Sequence, residues 1–338
     1  MTGKRLKVAR VLVNSGFAGL LARRQSATLL IVNYHRIRPS RTAATLFDDG
    51  VFGPDQEEFR RQMQWLQSST TVLDETGLLE LATRDDGRRG QVFSAVTFDD
   101  AYADCYSLAR PVLDQFGIRG IFFVPIDMID DRRLGWWDIA AYLLKTTPKP
   151  VIAVGNEVLE LRAGFESSIR RVLNLFKLRP AEETGNLLEE LSTACEVQLP
   201  GKDLQSAELM TWEQLRSMKA GGHGIGSHSF SHRVLATLSP ELQEREIKAS
   251  RGELAARIGN EVLSFAYPVG GPQHINSHSV RLVREAGYQQ AFTFNTGVAD
   301  LPIRDRLQIP RVFAHTLDEL KAKTLMPGLM GERKQRAA

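Results

Sequence analysis

Short, almost uninterrupted apolar runs alternate along this chain with segments of helical periodicity. The runs ATLLIVNYH (Ala27–His35), VFSAVTF (Val92–Phe98) and GIFFVP (Gly120–Pro125) are apolar at neighbouring positions. Strands of this kind are buried on both faces, as in a parallel sheet that is covered by helices. A helix-like segment, 104–117, joins the second run to the third. We therefore predict an α/β fold built around a parallel sheet.

The alternation is interrupted once. Between residues 127 and 210 the segments are helical and lack the apolar runs of a core strand, and strands resume with GIGSHS at 224–229. We interpret 127–210 as a helical insertion packed over the sheet. The predicted organisation is a leader at 1–26, one domain at 27–325 that contains the insertion, and a flexible polar tail at 326–338.

The leader is basic: residues 1–24 carry lysines and arginines and no acid. Asn14 interrupts its apolar stretch, and Arg23 and Arg24 stand where a secretory signal would have small residues, so a cleaved signal is disfavoured. Two interpretations remain open, a basic amphipathic helix on anionic lipid or the first helix of the domain. We expect a cytoplasmic or membrane-peripheral protein rather than a secreted one.

Charge and cysteine content exclude other classes. Lysine and arginine number 43 against 40 acids, an excess too small to predict nucleic-acid binding. The two cysteines, Cys105 and Cys195, form neither a CxxC metal motif nor a disulfide framework, and we expect free thiols.

Two pairs of adjacent aspartates occur in similar surroundings, LFDDG at 46–50 and VTFDD at 96–100. The first follows a segment without an apolar run, so we expect Asp48 and Asp49 to be loop or capping residues. Asp99 and Asp100 end a predicted strand, and catalytic groups of parallel α/β folds gather at the carboxyl ends of strands. The second pair is therefore the one placed for chemistry.

A histidine pair indicates what that chemistry is. His228 and His232 stand four residues apart in GIGSHSFSH, at another strand end. Two imidazoles with one carboxylate form a metal-binding set that leaves positions open for water and substrate. His274 and His278 have the same spacing but no strand-end carboxylate, and we expect no metal there.

These residues resemble the NodB-type polysaccharide deacetylases, a carbohydrate esterase family. TFDDAYAD (97–104) is similar to the TFDDG motif, HSFSH (228–232) to the H(S/T)xxH motif, and FAYPVGG (265–271) to the third motif. The YH of NYH (33–35) and the FAYP form of the third motif resemble the permuted poly-N-acetylglucosamine deacetylase branch. The resemblance implies a distorted (β/α)7 barrel, here with a helical insertion.

The resemblance also implies roles for individual residues. Asp100, His228 and His232 would bind a divalent metal, which in this family is most often zinc. Asp99 would be the general base, and the backbone amide near Val269 would stabilise the oxyanion. Tyr267, Pro268 and Trp137 are the expected substrate-binding residues, although packing is an alternative for one residue of the Trp136–Trp137 pair.

Two departures from the family pattern require substitutes. Ala266 stands where an arginine usually steadies the base; we assign that role to Arg311, with a structural or surface arginine as the alternative. His315 is the candidate for the late general acid that many relatives have, but its surroundings predict a helix cap. We therefore predict His35, at the end of the first strand, as the general acid, against the alternative of a core histidine.

The predicted function is metal-dependent removal of acetyl groups from a polysaccharide or glycan that contains N-acetylhexosamine. Two alternatives stay open: deacylation of a small or lipid-linked sugar, which the basic leader would suit, and a glycan-binding relative without catalysis. The expected partner is the glycan substrate, with peripheral membrane association through the leader and no nucleic acid.

Overall fold

The structure, a computed structural model, describes residues 8–9, 11–13, 15, 26–81, 89–161, 164–326 and 333–335. The predicted leader at 1–26 and tail at 326–338 lie mostly outside these residues. Across the described ranges, no helix combines the length and the apolar character that a membrane crossing requires.

The strands alternate with helices along the chain. The strands are β1 Thr28–Tyr34, β2 Arg36–Arg38, β3 Phe52–Asp55, β4 Thr71–Val72, β5 Val92–Phe98, β6 Ile121–Val124, β7 Val151–Val154, β8 Glu157–Glu160, β9 Gly224–Ser227, β10 Ser264–Ala266, β11 Gln290–Asp300, β12 Ile309–Arg311 and β13 Arg333–Gln335. The α-helices are α1 Gln56–Ser69, α2 Glu75–Leu81, α3 Arg110–Gln115, α4 Ile126–Asp130, α5 Trp136–Thr146, α6 Phe165–Leu178, α7 Thr184–Cys195, α8 Lys202–Ala207, α9 Trp212–Ala220, α10 Pro240–Glu244, α11 Ser250–Ile258, α12 Ser277–Glu285 and α13 Leu317–Leu325.

Six strands close into a barrel in the order β1, β5, β6, β9, β10, β11. Neighbours from β1 through to β11 are parallel, and the far end of β11 pairs with β1 in the antiparallel sense. The short strand β12 runs parallel to β11, and Val312 just beyond it bridges to Val32 of β1. The closed barrel and its mixed α/β character confirm the predicted fold class, and the double pairing of β11 is its distortion.

Burial on both faces explains the apolar runs. All seven residues of β1 are buried. Alternate residues belong to different cores: Leu29 and Ile31 pack with residues such as Phe123 and Phe292 inside the barrel, whereas Leu30 and Val32 pack against the surrounding helices. Side chains alternate along a strand, so Asn33 and, directly after β5, Asp99 continue the inward-facing series at the barrel's carboxyl end.

The chain between β6 and β9 contains a feature that the sequence interpretation missed. It holds helices α4 to α9, and also an antiparallel hairpin of β7 and β8. Gly155, in the turn, has φ 54°, a conformation that favours glycine. Gly155-Asn156 between two short apolar segments is a hairpin signal, and it was the available clue.

Candidate active site

The second aspartate pair lies at the carboxyl end of β5. The backbone amide of Asp99 donates to the carbonyl of Tyr34 on β1, at 3.0 Å, which fixes the two strand ends together. Asp100 and Ala101 then take positive φ values of 70° and 54°. The left-handed turn lets Asp99 face the barrel axis while Asp100 faces the histidine loop. Ala101 occupies the glycine position of the TFDDG motif, where that backbone conformation costs about 1–2 kcal/mol for an L-residue with a side chain.

The histidine pair lies in a tight turn rather than on a helix. His228 directly follows β9, and Ser229 and His232 both have positive φ. The Ser229 hydroxyl accepts a hydrogen bond from the His232 amide at 3.0 Å. The carboxylate of Glu246 accepts from the amides of Phe230 and Ser231, so the turn is anchored from the neighbouring helix.

Asp100, His228 and His232 together form a compact, buried set of possible metal ligands. Their donor atoms all lie within 4.8 Å of one another. Asp100 Oδ1 is 3.5 Å from His228 Nε2 and 3.3 Å from His232 Nε2. His228 Nδ1 lies 2.7 Å from the carbonyl of Ala266, which directs the Nδ1 proton to that oxygen and leaves Nε2 as the free donor.

The chemistry of this set fits a divalent cation. Within the described residues, the buried Asp100 Oδ1 has no hydrogen-bond partner. Burial, reinforced for His232 by the charge of His228, lowers the pKa of both histidines and favours the neutral, ligating imidazole. Burial and the neighbouring Asp99 raise the pKa of Asp100 well above its usual range. A cation at the set would offset that penalty and satisfy the unpaired oxygen.

Asp99 makes a different set of contacts. Arg311, at the end of β12, donates from Nη1 to Asp99 Oδ1 and from Nη2 to Oδ2, both at 2.8 Å. Arg311 also donates to Asn33 Oδ1 and to the carbonyl of Thr293, and Asn33 Nδ2 donates to Asp99 Oδ2. Burial alone would raise the pKa of Asp99, but the Arg311 charge and hydrogen bonds, with His228 and His35, hold it well below its usual range. Asp99 is therefore an ionised, fixed carboxylate.

His35 lies on the other side of Asp99. Its Nε2 is 3.7 Å from Asp99 Oδ2, and 18% of its side chain is exposed, toward the cleft. Burial is the main cause that lowers the pKa of His35 to about 4, so the resting imidazole is neutral. His315, by contrast, is exposed, and its amide donates to Glu319 in the first turn of α13; the N-cap of that helix is the next residue, Thr316, and not His315.

One cleft with a cavity volume of about 220 Å³ brings these groups together. Asp99, Asp100, His228, His232, His35 and Arg311 line it, as do Tyr267, Val269 and Trp137. Pro268 is buried behind the lining and is not part of it. Tyr267 is also largely buried, and its hydroxyl donates to the carbonyl of Leu307, so only part of this side chain reaches the cleft.

Val269 has an unusual backbone conformation. Its φ is 59°, a genuine outlier for a β-branched residue, and it precedes Gly270 at φ 61°. No described residue accepts a hydrogen bond from the Val269 amide. Strain of this kind persists where the surrounding structure imposes it, and here it leaves an unpaired N–H donor beside the cleft.

Trp137 supports the metal-ligand set from the insertion. Its ring lies 4.4 Å from that of His232, and its Nε1–H donates to the hydroxyl of Tyr102 at 2.8 Å. That hydroxyl donates in turn to buried Asp138, at 2.6 Å. Trp136 is the less buried residue of the pair. It stacks on Phe176 of α6 with an interplanar angle of 2°, so it also packs within the insertion.

The cleft also contains residues that sequence reasoning missed. Asp48 caps a short 3-10 turn through the amide of Gly50, as expected, but it is nearly fully buried, lines the cleft and pairs with Arg170. Helix α6 of the insertion adds Arg170, Leu173 and Lys177. The sequence does show that Arg170 and Lys177 stand seven residues apart on an amphipathic helix. That spacing does not tell which surface of the protein the helix covers.

Comparison with known proteins agrees with this geometry. A family model described as polysaccharide deacetylase matches residues 86–291. The chain is 20% identical over 244 residues to the putative polysaccharide deacetylase YxkH of Bacillus subtilis (strain 168), which covers 72% of this chain and 60% of YxkH. The chain therefore spans less than two thirds of the length of that relative.

Solved structures share the fold. The Streptococcus pyogenes deacetylase PplD, in complex with acetate, superposes with a TM-score of 0.58 at 17% identity over 90% of this chain and 100% of PplD. IcaB from Ammonifex degensii superposes with a TM-score of 0.53 at 19% identity over 89% of this chain and 98% of IcaB. Because the family model matches more than half of the chain and the barrel is shared, the chain belongs to the polysaccharide deacetylase family.

Proposed function

We propose that this protein is a metal-dependent hydrolase that removes N-acetyl groups from a polysaccharide or glycan containing N-acetylhexosamine. The observation that carries the proposal is the pairing, in one cleft, of a buried Asp–His–His set with a separate carboxylate that Arg311 holds ionised. The first set suits a metal, and the second suits proton transfer. Membership of the polysaccharide deacetylase family supports the same reaction class.

Asp100, His228 and His232 would hold the metal, and we infer zinc from the two imidazoles and one carboxylate. A divalent metal there would supply a Lewis acid that polarises the acyl carbonyl and acidifies a water molecule. The Ala266 carbonyl orients His228, and Trp137 packs on His232, so both ligands are held in place before binding.

Asp99 is the proposed general base. Arg311 and Asn33 fix its carboxylate, and Oδ2 points between His35 Nε2 and His228 Nε2, at 3.7 and 4.0 Å. An ionised carboxylate at this position can take a proton from the attacking water. The role of Arg311 is to keep Asp99 charged and oriented, which is the function of the arginine that Ala266 replaces.

His35 is the proposed general acid. In the resting protein its imidazole is neutral, so it must gain a proton before it donates one. Asp99 and His35 are 3.7 Å apart, and we propose a relay in which the proton removed from water reaches His35 and is then delivered to the departing amine nitrogen. The products are acetate and a free amino sugar. The Val269 amide would donate to the developing oxyanion.

Substrate contacts are proposed for Tyr267 and Trp137, and Pro268, which lies behind the lining, would contribute only by positioning its neighbour Tyr267. The position of His35 at the end of β1 supports an arrangement like that of the poly-N-acetylglucosamine branch. The alternatives remain a small or lipid-linked sugar substrate and a glycan-binding relative without catalysis. Peripheral membrane association through the basic leader, and a cytoplasmic or membrane-peripheral location, are also proposals.

The test compares two histidine variants. Purified wild type, His228→Ala and His278→Ala are analysed for zinc content and for acetate release from N-acetylglucosamine oligomers. We expect about one zinc per chain and acetate release from wild type and from His278→Ala, and loss of both from His228→Ala. Zinc retained by His228→Ala, or wild type that cannot be loaded with any divalent metal, would overturn the proposal.

A further inference from the structure

Helix α6 presents a positively charged face to the cleft. Arg170, Leu173 and Lys177 lie on one side of the helix, at spacings of three and four residues, and all three line the same cavity as the metal-ligand set. This face belongs to the insertion and not to the barrel.

The two cations of this face differ in their surroundings. Arg170 is paired with buried Asp48 and with Glu166 of its own helix. Its guanidinium also lies against Gly50, where a Cβ would come within 2.7 Å of Nη1. Arg170 is therefore clamped against the 48–50 loop and already neutralised.

Lys177 has no such partner. Its side chain is half-buried in the cleft wall, and among the described residues none forms a hydrogen bond or ion pair with it. Burial, followed by the charge of Arg170, lowers the pKa of Lys177, and the charge of Asp48 only partly opposes this. A partly desolvated ammonium that lacks a direct hydrogen-bond or ion-pair partner is unfavourable.

The other charged side chains that line the cleft have assigned partners, and Lys177 does not. Arg170 pairs with Asp48, Arg311 pairs with Asp99, and Asp100 belongs to the proposed metal set. With a divalent metal bound, the lining has a surplus of positive charge, and Lys177 is the side chain that supplies an unpaired donor. Its nitrogen is free to bind an anion that enters the cleft.

We propose that Lys177 binds an anionic substituent, a phosphate or a carboxylate, that is carried by the acylated sugar. The inference rests on the proposed function, because it adds a specificity determinant to the same cleft. Ammonium–anion contacts in a partly desolvated cleft are stronger than neutral hydrogen bonds. Lys177 would therefore favour charged glycans over neutral N-acetylglucosamine.

The experiment measures binding and not turnover. Dissociation constants are determined on zinc-loaded wild type, Lys177→Gln and Lys202→Gln for neutral N-acetylglucosamine, N-acetylglucosamine 1-phosphate, N-acetylglucosamine 6-phosphate and N-acetylmuramic acid. The phosphate and carboxylate arms identify which anion is preferred. Lys202, at the exposed start of α8 and outside the cleft, is the control for a loss of one positive charge.

We expect at least one anionic sugar to bind wild type about tenfold more tightly than the neutral sugar, as one charged hydrogen bond provides. Lys177→Gln should reduce that preference to about twofold or less, and Lys202→Gln should keep it. Equal or absent binding of the anionic sugars by wild type would overturn the inference, as would a preference that survives in Lys177→Gln, since zinc itself would then be the anion's partner. If the preference depends on Lys177 but the zinc-loaded protein releases no acetate in the test of the proposed function, the proposed function alone is contradicted.

Discussion

The buried pair of Arg311 and Asp99 permits a quantitative test by a double-mutant cycle. Both side chains are at most 2% exposed, and two hydrogen bonds of 2.8 Å join them. Arg311→Met removes those bonds together with the donors to Asn33 and Thr293, and leaves Asp99 buried without a cation. Breaking a buried pair on one side costs about 3–5 kcal/mol, which is a large part of a total stability of about 5–15 kcal/mol.

The cycle consists of wild type, Arg311→Met, Asp99→Asn and the double variant. Free energies of unfolding are measured in urea with a chelator present, so that no bound metal compensates the Asp99 charge. We expect each single variant to be strongly destabilised, and the double variant to be more stable than the sum of the two changes predicts by about 2 kcal/mol or more. Arg216→Met, on the exposed face of α9, should lie within about 0.5 kcal/mol of wild type. Additive single effects, or an Arg311→Met variant within about 1 kcal/mol of wild type, would show that the two side chains are not energetically coupled.

Three further predictions concern the frame of the site. Tyr102→Phe removes the hydroxyl between Trp137 and Asp138 and should cost about 1–3 kcal/mol of stability in urea and weaken zinc binding in a titration, whereas Tyr142→Phe should change neither. Gly226→Ala would place a Cβ 2.5 Å from the Phe123 ring and should cost about 1–3 kcal/mol, whereas Gly252→Ala, in open space on α11, should be neutral or stabilising; thermal unfolding of both variants is the check. Burial lowers the pKa of His223 to about 4, and its Nδ1 accepts from the Gly120 amide, so the unfolded chain binds the proton first as pH falls. Wild type should therefore lose stability between about pH 6.5 and pH 4 relative to His223→Asn, and parallel curves for the two proteins would contradict this assignment.

The barrel could be predicted because its physical cause is local. A strand that is buried on both faces must be apolar at neighbouring positions, and β1 and β5 show this directly in their sequences. The same parity places Asn33 and Asp99 on one inward-facing series. The strand-end aspartates and the HxxxH turn could be predicted for the same reason, because the end of a strand fixes where the next side chain can project.

The contacts that depend on barrel closure could not be predicted in the same way. Arg311 and Asp99 are separated by 212 positions, and only the insertion of β12 between β11 and β1 brings them together. From the sequence alone, Arg311 could either steady Asp99 or be a structural or surface arginine. Asp48 was assigned to a loop because capping is local, whereas its burial in the cleft depends on a helix of the insertion more than one hundred positions away.

Metal binding and proton transfer are assigned to different side chains of one cleft, and the variant Asp99→Asn separates the two roles. Asp99→Asn preserves the shape of the carboxylate but cannot act as a base, and Asp99 is not in the proposed ligand set. Zinc stoichiometry and acetate release from N-acetylglucosamine oligomers are measured on the same preparation of wild type and Asp99→Asn. We predict about one zinc per chain in both, with acetate release lowered at least about a hundredfold in the variant. Acetate release that is unchanged in a zinc-loaded Asp99→Asn protein would show that Asp99 is not the general base.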